Sequence, residues 1–157
     1  MELEALALAV DEQVRVPAAE RRSGRLYAVR CEPASGDDGV VLDLLAEGEA
    51  RALPQTVRPP AGVRAIALVS GVWVAPMEDD DSIRPPSQHP DRRRAHLTVL
   101  VGVEGKLDAT DISVLRYGDG APTVLRGGVG LIHQRMLRCW SRRPDAPWAT
   151  ARSGFAA

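Results

Sequence analysis

VRAIALVSGVWVAP, residues 63–76, is the stretch whose reading decides the fold. It is almost uninterrupted Val, Ile, Leu and Ala, and Pro76 closes it. β-Branched side chains are stiff at χ1 and fit a pleated surface, so the run reads as a strand. A second apolar run, AHLTVLVGV at 95–103, answers it. There the two-residue period puts Ala95, Leu97, Val99, Val101 and Val103 on one face and His96, Thr98, Leu100 and Gly102 on the other. The two runs are expected to be neighbouring central strands. Gly71, inside the first, predicts a β-bulge or a close backbone approach.

Working outward, Leu3, Leu6 and Val10 recur at helical spacing, which predicts a short amphipathic helix over 2–13 whose apolar face docks on the sheet or on a partner. Residues 18–24 read as a linker. LYAVRC, 26–31, is a first strand, and EPASGDDG is the turn that follows it. VVLDLL, 40–45, reads as a strand paired back on the first. A helix running on into AEGEARAL is its rival, opposed by the helix-weakening Gly48. Pro54, Pro59 and Pro60 mark an irregular connection. DISVLRY, 111–117, is a further strand, and 123–126 a short edge strand. Val129, Ile132, Met136 and Trp140 share a face of a helix expected over 129–141, which Pro144 and Pro147 end.

Consecutive strands with short glycine-rich turns favour antiparallel pairing, and helices at the chain ends favour an α+β fold. The expectation is one α+β domain over 1–143: a four- to six-stranded, mainly antiparallel sheet with N-terminal and C-terminal helices packed on one face. A mobile tail is expected over 144–157.

The chain has 157 residues, enough to bury a core without disulfide or metal staples. Aromatic residues make up 4 %, so that core must be mainly aliphatic. A net charge of −1 argues against a dedicated nucleic-acid or anionic-membrane binder. Lys106 is the only lysine, and the abundance of Arg, Ala and Val fits a GC-rich genome, so clustering of arginines says more than their number. Cys31 and Cys139 lie far apart and form no CxxC motif, which suggests two reduced, partly buried thiols in a cytoplasmic protein. Glu2 and Glu4 stand where a signal peptide needs positive charge. No apolar run is long enough to span a membrane.

Between the two central runs lies a loop over 77–94 of biased content: the acidic block Glu78 to Asp81, Pro85 and Pro86, then His89, Pro90, Asp91 and three arginines. The order Trp73-x-x-Pro76, Arg84-Pro85-Pro86-Ser87-Gln88-His89-Pro90-Asp91-Arg92 and an alternating Val/Leu strand resembles a signature of small bacterial proteins of uncharacterised activity. In those proteins a strand ending near a Trp is followed by RPS-x-HP-x-R and another strand. The likeness covers about a fifth of the chain, and an extra proline precedes Ser87 here. It implies a strand–loop–strand unit and no mechanism. Physically the segment reads as a built loop. Its prolines lower the entropy of ordering, Ser87 can bond local backbone, and Asp91 with the arginines can lock the loop to the sheet.

The residues offer four candidate chemistries. Pro90-Asp91 followed by Glu104-Gly105-Lys106 matches a loose PD…ExK nuclease pattern, in which two carboxylates hold a divalent metal and a lysine polarises water. Glu104 to Lys106 also reads as a hairpin tip with both charges in solvent. Consecutive acids Glu78 to Asp81 splay apart and lack calcium-loop spacing, and His89 with His96 has no third ligand. Arg84, Arg92, Arg93 and Arg94, with Arg135 and Arg138, could form phosphate forks. The nearby acids suggest a cross-loop salt network instead. His133 and Cys139 fall on different faces of the last helix, and no GxSxG, Walker or GxGxxG motif occurs.

The reading that remains is a non-enzymatic protein-interaction or assembly domain, acting through a protein partner or by self-association, with no cofactor, metal or membrane assigned. Its expected contact residues are Trp73 and Met77 as anchors and His89, Asp91 and Arg92 as loop-fixing or contact groups. The alternative is a metal-dependent, phosphate-handling enzyme using Asp91, Glu104 and Lys106.

Overall fold

The computed structural model describes residues 2–14, 24–32, 39–50, 52–55, 57–75, 86–102 and 111–126. Their order is α1 (Leu3–Gln13), β1 (Gly24–Cys31), β2 (Val40–Gly48), β3 (Ala65–Val74), β4 (Arg93–Gly102), β5 (Asp111–Arg116) and β6 (Thr123–Arg126), with single 3-10 turns at Leu53–Gln55 and Pro86–Gln88. The strands form one six-stranded sheet in the order β2-β1-β3-β4-β5-β6. Every pairing is antiparallel. The two apolar runs are its central pair, in unbroken register from Ala65↔Gly102 to Val74↔Arg93.

Both faces of that pair are covered. On one, α1 presses Leu6, Ala7 and Val10 against Val29, Ala65, Ala67, Val69, Leu100, Ile112 and Val114. On the other, Leu26, Ala28, Ile66, Leu68, Val99 and Val101 pack with Leu53 and Val63 from the proline-containing connection. Double coverage explains why β3 lacks polar alternation: Ala65 to Ser70 are all buried. The α1 stripe works because positions three and four apart share a helix face, and Leu6 and Val10 are fully buried.

Several boundaries differ from expectation. The 40–45 segment is a strand extended to Gly48, and no helix runs on from it. Pairing with β1 overrides local helical period here, and Gly48 ends the strand at a φ of 157°. No bulge marks Gly71, which sits in register opposite His96. The irregularity lies between Leu26 and Tyr27, whose partners are Ala46 and Leu44, leaving Leu45 as the extra residue. The connection after β3 ends earlier than expected, because Arg93 and Arg94 belong to β4. Cys31 is exposed at the end of β1, not partly buried. The helix expected over 129–141 and the tail expected over 144–157 lie outside the described residues. So the sheet and one N-terminal helix, packed on one face, stand as the architecture. Among the described residues no helix is long and apolar enough to cross a membrane.

Candidate interaction surface at the Trp73 end of the sheet

The face of β4 that looks toward α1 reads, from its outer end inward, Arg94, His96, Thr98, Leu100. Opposite these on β3 stand Trp73, Gly71, Val69 and Ala67. The face is therefore charged and aromatic at the outer end and aliphatic under the helix, with a buried polar patch between.

The outer end is built by cation–π stacking. Trp73 is 40 % exposed, a high value for so large an apolar side chain. The guanidinium carbon of Arg94, its cross-strand partner, lies 5.2 Å from the ring centroid, and that of Arg92 lies 5.0 Å away. Arg93 points to the opposite face, where its guanidinium sits 4.4 Å from the Tyr117 ring. A ring's negative face attracts a cation at these distances, and arginine's flat guanidinium stacks without losing its outward N–H donors.

The loop before β4 holds Arg92 in place. The Asp91 amide donates to Nδ1 of His89 at 3.0 Å, which fixes the orientation of the imidazole. Arg92 donates from its backbone amide and from Nη1 to the His89 carbonyl, both at 3.2 Å. His89 is 7 % exposed and is thus a structural pin for the loop. Of the five contact residues expected, the structure brings Trp73, His89, Asp91 and Arg92 into one linked group, and Met77 lies outside the described residues. Asp91 does not lock the arginines. Its carboxylate makes no ion pair among the described residues, and its amide is the group used. Nor do Arg92 and Arg93 join a salt network there, since aromatic rings and a carbonyl hold them.

Inward of Arg94 lies a buried polar network that the sequence reading missed. Asp11 is fully buried. Its Oδ2 accepts from Nε and Nη2 of Arg116 at 2.9 and 2.7 Å, and its Oδ1 accepts from the Thr98 hydroxyl at 3.1 Å. His96 Nε2 lies 3.3 Å from that hydroxyl and 3.7 Å from Oδ1. Arg116 also donates to the Gly120 carbonyl at 3.1 Å and to Glu12 at 3.3 Å. The available signal was Asp11 itself: it stands four positions after Ala7, a charge on the apolar stripe of α1. Its partner could not be read, because Arg116 is one of many arginines.

The metal and nuclease readings gain nothing from this geometry. β4, ten residues long and about 30 Å at roughly 3.3 Å per residue, follows Asp91 and runs to Gly102. Glu104, Lys106, the acidic block 78–81, Arg84, His133, Arg135, Arg138 and Cys139 lie outside the described residues. No group of three His, Cys, Asp or Glu able to hold a metal occurs among the described residues. Comparison of the chain with family models, with curated proteins and with solved structures finds no match.

Proposed function

We propose that this domain is a non-enzymatic interaction module whose contact surface is the Trp73 end of the sheet, centred on Trp73 and Arg92. One observation carries the reading: the Trp73 indole is 40 % exposed while two guanidiniums are stacked on it. Trp and Arg dominate the energetics of protein interfaces, because each offers a large contact area together with directed polar groups. Here the ring stiffens the two arginines before binding, which lowers the entropy lost when they are immobilised. His89 and Asp91 serve as the loop pin behind Arg92.

The test compares the wild-type chain with W73A by light scattering across a concentration series and by capture on immobilised chain. The expected result is either an assembly larger than a monomer that W73A dissociates, or a partner retained by wild type and lost with W73A. A monomer in both cases, with the same proteins retained by both, overturns the reading.

A further inference from the structure

We infer that two copies of this chain join edge to edge through β2, as antiparallel strands related by a two-fold axis at Leu42. The pairing uses a different surface from the Trp73 end and does not depend on the reading proposed for it.

The backbone is the starting point. β2 is an edge strand of nine residues with β1 on its inner side. The Glu32 amide donates to the Gly39 carbonyl at 2.6 Å, in the pair that continues the Cys31↔Val40 register. Hydrogen-bonded and non-bonded pairs alternate along an antiparallel ladder. Val41 and Asp43 therefore direct their backbone groups at β1, and Val40, Leu42 and Leu44 turn theirs outward. Two further bonds agree with that phase. The Val29 carbonyl, opposite Leu42, accepts from the Arg64 amide on the other side of β1 at 2.8 Å. The Val40 carbonyl accepts from Nε2 of Gln13 at 3.2 Å. Among the described residues, no other hydrogen bond reaches that outer row. The extra residue Leu45 ends its regular part.

The row matches itself. A two-fold axis at Leu42 sets Leu42 opposite Leu42 of the second copy, and Val40 opposite Leu44. Every outward residue then faces an outward residue, which is the arrangement in which opposed residues exchange N–H and C=O bonds. The side chains match as well. Val40 and Leu42 belong to the apolar layer under α1, and Leu44 shares their face by the two-residue period. Leu44 is 51 % exposed, and the pairing lays it beside Val40 of the second copy. On the opposite face Asp43 falls opposite Val41, so no acid directly opposes an acid. Asp43 is already bonded to Nε of Arg30 at 2.8 Å, and the incoming strand meets no bare charge.

The opposite edge of the sheet suits this contact less. β6 is four residues long, and its Arg126 is ion-paired with Glu4 of α1. Joining β2 to β6 of the next copy would also build an open-ended array, whereas two β2 strands close on each other. Solvent-facing edge strands are commonly guarded by proline or lysine, and Val40 to Leu44 contains neither.

The test is sedimentation velocity of the full chain as wild type, L44P, L44K, T123K and W73A. A single strand pair makes a small interface, so exchange between monomer and dimer is expected within about 1–200 μM. L44P removes an outward N–H that β1 does not use, and L44K puts a charge on the row. Each is expected to weaken the dimer about tenfold or more, while T123K, the same charge on the opposite edge, leaves it unchanged. Thermal melts check folding, and where L44P melts below wild type, L44K carries the test. Amide exchange by NMR locates the contact: the Val40, Leu42 and Leu44 amides should slow as concentration rises. A monomer throughout, a dimer that survives L44K, equal loss with T123K, or no slowing of those amides each overturns the inference. A dimer that W73A dissociates and L44K does not overturns it too, and supports the Trp73 reading. A dimer lost with L44K, with no contact of any kind that depends on Trp73, upholds the β2 pairing and removes the Trp73 reading.

Discussion

Asp11 and Arg116, 105 positions apart, are joined by two hydrogen bonds of 2.9 and 2.7 Å at full burial of the carboxylate. The pair ties α1 to β5 across the apolar layer, and Thr98 satisfies the second carboxylate oxygen. It fixes how the helix lies on the sheet, because only one placement brings Asp11 over both partners.

Removing one member leaves the other charged and dry. D11A is expected to destabilise the domain by about 3–5 kcal/mol, whereas replacing both residues with apolar ones of similar volume costs far less. Urea midpoints of D11A, R116M and D11L/R116M check this. Equal costs for the single and double replacements would refute it.

The β1–β2 hairpin depends on Gly39. Its φ is +61°, and a Cβ there would meet the Glu32 carbonyl oxygen at 2.5 Å, beside the Glu32 N–H to Gly39 carbonyl bond. G39A is expected to cost about 1–3 kcal/mol, read as a lower melting temperature. Since backbone atoms make the clash, a longer side chain should be no better tolerated.

Leu6 and Val10 anchor α1 to the sheet, and both are fully buried. L6A is expected to cost about 2–5 kcal/mol, and W73A, at an exposed position, well under that. Chemical denaturation of the two variants side by side separates a core residue from a surface one. A Trp73 loss as large as that of Leu6 would show the indole to be a structural element and would remove the basis for a contact role.

The surface pairs on β1 set a pH expectation. Arg30 is held above its ordinary pKa, first by its hydrogen bond to Asp43, and Arg25 is raised by Tyr27 and then Glu47. A raised pKa on a cation means that the stabilisation is fully present below the unfolded value and is lost only as pH climbs through the folded one. Both values lie far above neutrality. The stability difference between wild type and R30Q should therefore stay flat between about pH 7 and pH 9. A difference that changes across that interval would assign the effect to another group.

Much of this molecule was legible from residue order. The 63–76 and 95–103 runs name the central strand pair, because a buried strand must be apolar on both faces and β-branched residues favour that backbone. The same logic gave α1, the short strands and the assignment of His96 and Thr98 to one face of β4. The Trp73 to Arg92 segment stood out by composition.

Other features were settled only in three dimensions. Whether 40–48 was helix or strand depended on a partner, and β1 supplied it. Arg92 and Arg94 stack on Trp73 and Arg93 on Tyr117, because strand register brings those rings beside them. The link between Asp11 and Arg116 needed α1 folded onto the sheet. Periodicity fixes which way a side chain faces along its own element. What it meets there depends on how distant elements pack, and a linear sequence contains that information only through the whole fold.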